Sequence, residues 1–515
     1  MRPLSLLAIL LPALAWPADL PPGRYLEVAR AFVDTMMARG TDRYGATHSP
    51  LFAAMLDLNT MALPNPSPPE EFFRGRGGQI QSIGFGLPNP PVGVRPGDRA
   101  PLGNNLEHDI MLLQSMFKLS ELTGDRKYAD HAGAYLRFWL LHCQSPATGL
   151  MAAGEHMSWD FVRDEAHADV HEVFRRFPLY DRLYAIDPYR ALRIADALWL
   201  SQMGNKKVGD FSRHAGYSSY RTATGAAYPR HAGFYIWAYA NAYVQSRDPK
   251  YIERIEVLIE SRTGKRPRPE SQLVELGAFQ PERSTDPTLR ALLWDAAELV
   301  PQRKADWRRI VRELDEEALR QPRSRAARRL PPEVDPKRRQ EAEQRYPGLL
   351  RHNRTLGGGL QTVSTTLSPL WVMAYGSSGA SGAALLHLTR YQQTRDERFL
   401  RLAEEIADQY LAEGLPKATQ DLWPRACGQV VSLLLALGRE NGMAAEKRQR
   451  YWEFARSTTA LALGLFSKNG LFRADGVADH YEAITGADDL LWALLQLHCQ
   501  LNKPELNLGH IDVNW

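Results

Sequence analysis

The sequence predicts an all-α protein whose helical hairpins form an α/α toroid. Apolar residues recur at helical spacing along most of the chain, while the alternating β-branched runs that indicate strands are scarce. A short turn motif also recurs three times between predicted helices, as expected for antiparallel hairpins. Such hairpins either close into a toroid or stack as an open solenoid, and we favour the toroid. No Pro- or Ser-rich linker divides the chain, so we expect a single large domain.

The apolar stripes define the predicted helices. Between Tyr25 and Met37, apolar residues occupy positions 25, 28, 29, 32, 33, 36 and 37, and Gly40 stands where a C-cap is expected. A helix is also predicted from Val170 through Tyr180. The other predicted helices cover residues 106–122, 127–142, 188–203, 232–246, 249–261, 381–393, 397–412, 427–439, 450–465 and 487–501.

The repeated turn motif has six residues, with Asp at its third position and an aromatic residue at its sixth. The three copies are Thr123–Tyr128, Ser246–Tyr251 and Thr394–Phe399. We expect each Asp to cap the following helix, because its carboxylate can accept hydrogen bonds from unpaired backbone N–H groups. We expect each aromatic side chain to pack the new helix onto its partner.

Residues 1–18 have the pattern of a secretory signal peptide. Arg2 precedes an apolar run from Leu4 to Leu11, and Ala13 and Ala15 provide a small-x-small cleavage signal. The run is shorter than the ~20 residues that a membrane-spanning helix needs. We therefore expect an exported protein, secreted or periplasmic, with no integral membrane segment and with its domain in residues 19–515.

Charge and cysteine content narrow the possible partners. The net charge of the 515-residue chain is +4, and much of the basic excess lies near residues 301–345. We predict a basic helical insertion there, which is either a solvated surface or a rim that attracts a polyanion. Nucleic acid is not an expected partner, because no nucleic-acid motif is present. The three cysteines are odd in number and widely spaced, so we expect the fold to be stabilised by packing rather than by a disulfide framework. We also expect a monomer.

Three separated segments carry histidine beside charged residues. They are residues 154–156 (Gly-Glu-His), 170–172 (Val-His-Glu) and 212–214 (Ser-Arg-His). Two imidazoles and one carboxylate can bind a divalent metal and leave positions open for a substrate. By spacing alone, the same histidines could be hydrogen-bonded core residues. The motif Arg-His-Ala-Gly-aromatic occurs at 213–217 and again at 230–234.

In this order, the three segments resemble polysaccharide lyase family 2, which comprises exported or periplasmic pectate lyases with an α/α barrel. Residues 41–53 and the predicted hairpin over 106–132 resemble the family as well. The resemblance covers residues 25–245, which is nearly half of the chain.

The resemblance implies that His156, Glu172 and His214 bind a divalent cation. Mn²⁺ is the first expectation, with Ca²⁺ or another transition metal as alternatives. It also implies that Arg213 is the catalytic base. Arginine is normally protonated at neutral pH, so this role requires a nearby cation, and Arg213 could instead clamp a substrate carboxylate. Lesser candidates for the base are Lys206, Lys207 and Tyr217.

The implied substrate is an acidic polysaccharide or oligosaccharide. The resemblance suggests that Arg230 and His231 contact a substrate carboxylate, although a locally hydrogen-bonded pair at a helix start is the alternative. Further substrate contacts are expected from His171, Tyr217 and Trp159. The aromatic side chains among them either stack on sugar faces or pack in the core.

The implied reaction is metal-assisted β-elimination in a uronic-acid polymer, with pectate or polygalacturonate as the first candidate. A cation at the uronate carboxylate stabilises the charge that develops when C5 loses its proton. The C-terminal half resembles the family poorly, so its contribution stays open. The main alternative is a glycoside hydrolase that pairs Glu172 or Asp160 with Asp488 or Asp489. A further alternative is a non-catalytic glycan-binding protein.

Overall fold

The structure, a computed structural model, describes residues 21–69, 72, 85–220, 228–267, 284–320, 364, 366–377 and 379–513. The predicted signal peptide lies outside these residues.

Fourteen α-helices occur in the described part of the chain, and each predicted apolar stripe corresponds to one of them. None of these helices is long and apolar enough to span a bilayer. Their bounds are α1 (Pro22–Thr35), α2 (Leu106–Thr123), α3 (Lys127–His142), α4 (Tyr180–Ile186), α5 (Pro188–Gln202), α6 (Pro229–Ser246), α7 (Lys250–Thr263), α8 (Pro287–Leu299), α9 (Lys304–Arg320), α10 (Gly379–Thr394), α11 (Glu397–Glu413), α12 (Pro424–Arg439), α13 (Ala445–Phe466) and α14 (Ala487–Asn502).

The even-numbered helices form a closed inner ring. Helix α6 packs against α4 and α8, α10 packs against α8 and α12, and α14 packs against α12 and α2. The odd-numbered helices form an outer layer, in which α3, α5, α7, α9, α11 and α13 each pack on the preceding inner helix and α1 packs on α14. The predicted α/α toroid is therefore confirmed. An open solenoid is excluded, because the last helix, α14, packs against α2 near the start of the chain.

Burial distinguishes the two layers. Every residue of α12 from Pro424 to Gly438 is buried, as expected for a helix enclosed on all sides. In the outer helix α11, burial is confined to one stripe facing the inner ring. That stripe consists of Phe399, Leu400, Ala403, Ala407 and Tyr410.

The repeated turn motif begins a helix in all three copies, but its Asp is the N-cap residue only in α11. In α3 and α7 the N-cap residues are Arg126 and Pro249, so the Asp lies one position earlier than predicted. In each copy the Asp carboxylate accepts a hydrogen bond from the backbone N–H two residues later. These bonds join Asp125 to Lys127 (3.1 Å), Asp248 to Lys250 (3.0 Å) and Asp396 to Arg398 (2.9 Å). The aromatic side chains that end the motif are all buried, namely Tyr128, Tyr251 and Phe399.

Small antiparallel sheets connect the helices at the loops. Strand β1 (Met55–Asp57) pairs with β11 (His480–Glu482), which links the two ends of the chain. Strands β2 (Gly103–Asn104), β3 (Ser158–Asp160) and β4 (Glu165–His167) form one sheet. The remaining pairs are β5 (Val170–His171) with β8 (Ala215–Gly216), β6 (Met203–Asn205) with β7 (Asp210–Phe211), and β9 (Ser467–Lys468) with β10 (Leu471–Phe472).

The predicted helix from Val170 through Tyr180 is wrong. Residues 170–171 form β5, and α4 begins only at Tyr180. Pro178 has no backbone N–H and disfavours helical torsions at Phe177, so a helix cannot run through this point without losing hydrogen bonds. The segment around Val170 instead forms ladder hydrogen bonds with β8.

Part of the basic stretch belongs to the toroid. Helix α9 packs on α8 as the outer partner of a hairpin. Its apolar contact consists of the buried side chains Trp307, Ile310, Val311 and Leu314. Basic residues here pair with acidic neighbours, as in the ion pairs of Lys304 with Glu298 (2.7 Å) and of Arg309 with Glu313 (2.7 Å). Residues 321–345 lie outside the described residues, so an insertion there stays a prediction.

Candidate functional site

The predicted site residues lie against the N-terminal ends of inner helices. Asn105 is the N-cap of α2, and its side-chain amide also donates a hydrogen bond of 2.7 Å to the carbonyl oxygen of Gly154. His231 lies in the first turn of α6. The loop that carries Glu155 and His156 is therefore anchored directly to the inner ring.

Strand pairing brings the second and third histidine segments together. In the antiparallel pair of β5 and β8, Val170 lies opposite Gly216 and His171 lies opposite Ala215. Glu172 and His214 follow at the same end of this ladder. Glu172 Oε2 consequently lies 3.1 Å from His214 Nε2.

The first segment reaches Glu172 through a close backbone approach at Gly154. The φ angle of Gly154 is +138°, which L side chains rarely adopt. A Cβ atom at this position would lie 2.5 Å from the carbonyl oxygen of Glu172 and 2.7 Å from its backbone nitrogen. Glycine therefore allows the loop to lie beside Glu172, which brings Glu155 and His156 into the site.

Four side chains present ligand atoms to a common centre. They are Glu155, His156, Glu172 and His214, and one ligand atom from each lies within 4.8 Å of all the others. The structure thus brings together the three residues that the sequence suggested as metal ligands. It adds Glu155, whose position beside His156 was the only sequence signal that could have identified it.

Arg213 bridges the two carboxylates of this group. Its Nη1 donates hydrogen bonds of 2.6 Å to Glu155 Oε2 and 2.5 Å to Glu172 Oε2. The guanidinium therefore lies next to the atoms that would bind a cation. This position suits either of its predicted roles, the base or the clamp.

Asp98 and Arg95 surround the group on the side of His156. Asp98 Oδ1 lies 3.3 Å from His156 Nδ1, and Arg95 Nε donates a hydrogen bond of 2.5 Å to Asp98 Oδ2. Arg95 also pairs with Glu155 Oε1. Sequence analysis missed Arg95 and Asp98, because no spacing rule connects this Pro- and Gly-rich loop to residues nearly sixty positions later.

His231 contacts Glu172 from within the protein. Its side chain is fully buried, and its Nε2 donates a hydrogen bond of 2.9 Å to Glu172 Oε1. Burial lowers the pKa of His231, and the nearby Glu172 opposes that shift. In this buried position His231 can hold the Glu172 carboxylate but is not exposed to a polymer. Its position therefore does not support the predicted contact with substrate.

Glu172 is held as an anion. Burial by itself would raise the pKa of Glu172, but hydrogen bonds with His214 and His231 and the charge of Arg213 hold the pKa well below its ordinary value. The carboxylate is therefore charged in the pH range where a cation could bind it.

The two arginines of the repeated Arg-His motif also converge. The guanidinium carbons of Arg213 and Arg230 lie 5.5 Å and 5.0 Å from the centre of the Tyr228 ring. The Tyr228 side chain is 44% exposed, so this cationic surface is accessible from solvent.

The other residues predicted to contact the substrate make contacts within the protein. His171 Nδ1 donates to the Met151 carbonyl (2.8 Å), and burial lowers the pKa of His171 to about 4, so its ring is neutral. The Tyr217 hydroxyl donates to the Cys143 carbonyl (3.3 Å). Trp159 is 8% exposed and packs edge-on against Phe138. Their contacts with substrate stay predictions, as do base roles for Lys206 and Lys207 in the turn between β6 and β7.

A second buried charged group lies at the starts of α12 and α14. Arg425 Nε donates a hydrogen bond of 3.0 Å to Asp489 Oδ2. Burial, followed by the charge of Asp489, raises the pKa of Asp488 to about 7, while Arg175 and Arg425 act in the opposite direction. Asp160, by contrast, accepts hydrogen bonds from the backbone N–H groups of residues 162 and 163 and serves a turn.

The closed helical ring, with charged side chains gathered at the ends of its inner helices, supports a carbohydrate-active enzyme when taken with the family comparison. Residues 94–231 match the family model described as periplasmic pectate lyase. The resemblance seen in the sequence is confirmed over this segment. The segment contains every residue of the four-ligand group as well as Arg95, Asp98, Arg213 and His231.

Solved structures are similar to this chain at low identity. An unsaturated glucuronyl hydrolase specific for heparin is 11% identical, over 95% of this chain and 100% of that one, with a TM-score of 0.41. Cellobiose 2-epimerase from Bacillus thermoamylovorans B4167 is 13% identical, over 68% and 84% of the two chains, with a TM-score of 0.37. An alpha-1,6-mannanase from Salegentibacter sp. HEL1_6 is 12% identical, over 93% and 99%, with a TM-score of 0.34.

Proposed function

We propose that this protein is a polysaccharide lyase that cleaves a uronic-acid polymer by metal-assisted β-elimination, with pectate or polygalacturonate as the first substrate to test. The observation that carries the proposal is the convergence of His156, Glu172 and His214 beside Arg213. These residues come from three separate loops, and a family model described as periplasmic pectate lyase matches the segment that contains them. The description of that family also supports export of this chain.

The donor set fits a divalent cation. His156 and His214 provide imidazole nitrogens, and Glu172 provides a carboxylate that its surroundings keep ionised. Mixed nitrogen and oxygen donors suit Mn²⁺ and other transition metals better than Ca²⁺, which prefers oxygen ligands. When bound, the cation supplies Lewis-acid stabilisation of the negative charge on the substrate carboxylate.

Charge balance also favours a cation. Three carboxylates, on Asp98, Glu155 and Glu172, face two guanidinium groups, on Arg95 and Arg213. Within these ion pairs, the carboxylates outnumber the guanidinium groups by one. Buried charges are usually paired or bind metals, so a cation at this centre removes an unfavourable excess.

Arg213 is proposed as the base that takes the C5 proton. The electron pair of the broken C–H bond then forms the C4–C5 double bond, and the glycosidic oxygen leaves C4 and takes a proton from solvent. Arg213 is ion-paired with Glu155 and Glu172, so it lies next to carboxylates of the proposed metal centre. Arg230, beside the exposed Tyr228 ring, is proposed to bind a carboxylate of the polymer.

A glycoside hydrolase is the second candidate, and Asp488 is the observation that favours it. With its pKa raised to about 7, Asp488 can be protonated near neutral pH and can serve as a general acid. A hydrolase would leave the convergence of His156, His214 and Arg213 around Glu172 without a role. The lyase therefore explains more of the observed arrangement.

The reaction products distinguish these candidates. We expect incubation with polygalacturonate and Mn²⁺ to release unsaturated oligosaccharides that absorb ultraviolet light, and EDTA to stop their release. Saturated reducing sugars that form equally well in EDTA would identify a hydrolase. Binding of the polymer without either product, on a panel of uronate polymers, would contradict both enzymes and support a glycan-binding protein.

A further inference from the structure

We infer that Glu155 is a fourth protein ligand of the divalent cation, so that two imidazoles and two carboxylates hold the ion. The inference rests on the proposed metal centre and extends it beyond His156, Glu172 and His214.

The Glu155 carboxylate lies beside the other proposed ligands. Glu155 Oε2 lies 3.3 Å from His156 Nε2 and 2.6 Å from Arg213 Nη1. Arg213 Nη1 in turn lies 2.5 Å from Glu172 Oε2. Oxygens of both carboxylates and nitrogens of both imidazoles thus surround one small region, with one ligand atom from each residue within 4.8 Å of the others.

The two carboxylate oxygens of Glu155 have different partners. Arg95 pairs with Oε1, whereas Oε2 faces His156 and Arg213. The Glu155 side chain is 11% exposed. Metal-binding carboxylates are commonly oriented by hydrogen bonds from outside the ligand set. Arg95 supplies such a contact, and it fixes the carboxylate with one oxygen turned toward the other ligands.

The backbone before Glu155 is held in place at Gly154. The approach of Gly154 to the backbone of Glu172 fixes where the next residue lies. The hydrogen bond from Asn105 to the Gly154 carbonyl holds the same loop from the other side. The backbone that leads into Glu155 is therefore positioned by contacts on both sides, which keeps this residue close to Glu172.

Manganese affinity tests the inference. Protein freed of metal with a chelator is titrated with Mn²⁺, and bound ion is measured by isothermal titration calorimetry and electron paramagnetic resonance. We expect Glu155→Gln to raise the Mn²⁺ dissociation constant at least about tenfold, because the amide keeps the shape but loses the charged donor. The matched control is Glu165→Gln. Glu165 is an exposed glutamate at the start of β4, and its replacement should leave the Mn²⁺ dissociation constant within about twofold of the wild-type value.

The outcomes separate this inference from the proposed function. If the wild-type protein binds no Mn²⁺, the metal centre itself is wrong. If Glu172→Gln loses Mn²⁺ while Glu155→Gln binds it as the wild type does, the metal centre stands and the fourth ligand is overturned.

A measurement on the wild-type protein keeps the test decisive if Glu155→Gln does not fold. Pulsed electron paramagnetic resonance in ¹⁷O-labelled water counts the water molecules on bound Mn²⁺. For a six-coordinate ion we expect about two waters with four protein ligands and about three with three. A count of three would contradict a role for Glu155.

Discussion

His214 and His231 flank the same carboxylate, one at each oxygen. His214 Nε2 lies 3.1 Å from Glu172 Oε2, and His231 Nε2 lies 2.9 Å from Glu172 Oε1. The two copies of the Arg-His motif therefore surround one glutamate, and their arginines meet over Tyr228. The first copy supplies a proposed ligand and base, whereas the second supplies a buried histidine that positions the ligand.

His231→Ala should weaken Mn²⁺ binding by about tenfold to a hundredfold, because Glu172 loses the donor that orients it. His231→Gln should recover much of the affinity, since an amide N–H can replace the imidazole N–H. Titration calorimetry on both variants checks this, with circular dichroism to confirm folding. A loss of activity with unchanged Mn²⁺ affinity would instead indicate direct contact of His231 with substrate.

Arg213→Ala should lower kcat on polygalacturonate by about 10² to 10⁴ while Mn²⁺ still binds, because a general base contributes in this range. His214→Ala is the contrasting variant, in which turnover and Mn²⁺ binding should be lost together. Initial rates of unsaturated product and metal titrations are measured side by side. Full activity of the Arg213 variant would show that another group takes the proton.

Gly154→Ala should disrupt the site, because a Cβ atom would collide with the Glu172 backbone at a φ angle that disfavours alanine. We expect a loss of roughly 1–3 kcal/mol in the free energy of unfolding together with weaker Mn²⁺ binding. Gly124→Ala is the matched control. Its φ is +75°, but nothing lies within 4 Å of the added Cβ, so its Mn²⁺ affinity should not change. Equal effects of the two substitutions on Mn²⁺ affinity would contradict the role of Gly154.

Glu482 should make stability depend on acid pH. Burial opposes its ionisation, but Arg99 and His480 lower the pKa of Glu482 from 4.5 to about 2. A lowered folded-state pKa stabilises the protein above the unfolded-state value, and this stabilisation is lost as the pH falls from about 4.5 toward about 2. Urea unfolding at pH 6 and pH 3 should show this loss. Glu482→Gln should be less stable by about 3–5 kcal/mol at pH 6, because the buried Arg99 guanidinium loses its charged partner. The free energy of unfolding of this variant should change less between pH 6 and pH 3 than that of the wild type. An equal change in both proteins would assign the pH dependence to other groups.

The sequence by itself was enough to predict most of the described α-helices, but not α4 or α8, together with the hairpin turns and three of the four convergent side chains. Helical periodicity and capping are local, because they depend on residues three to six positions apart, so a position such as Asp396 could be interpreted correctly. The order of the histidine segments added the link to the lyase family.

Only the tertiary structure decided how those segments meet. The residues around Val170 form a strand because Pro178 interrupts a helix and β8 offers hydrogen-bond partners from far along the chain. That pairing sets Glu172 beside His214, and the close approach at Gly154 adds Glu155. Such contacts depend on chain segments that fold back from tens of residues away. No local pattern contains them, and for that reason Arg95, Asp98 and the buried position of His231 emerged only from the folded chain.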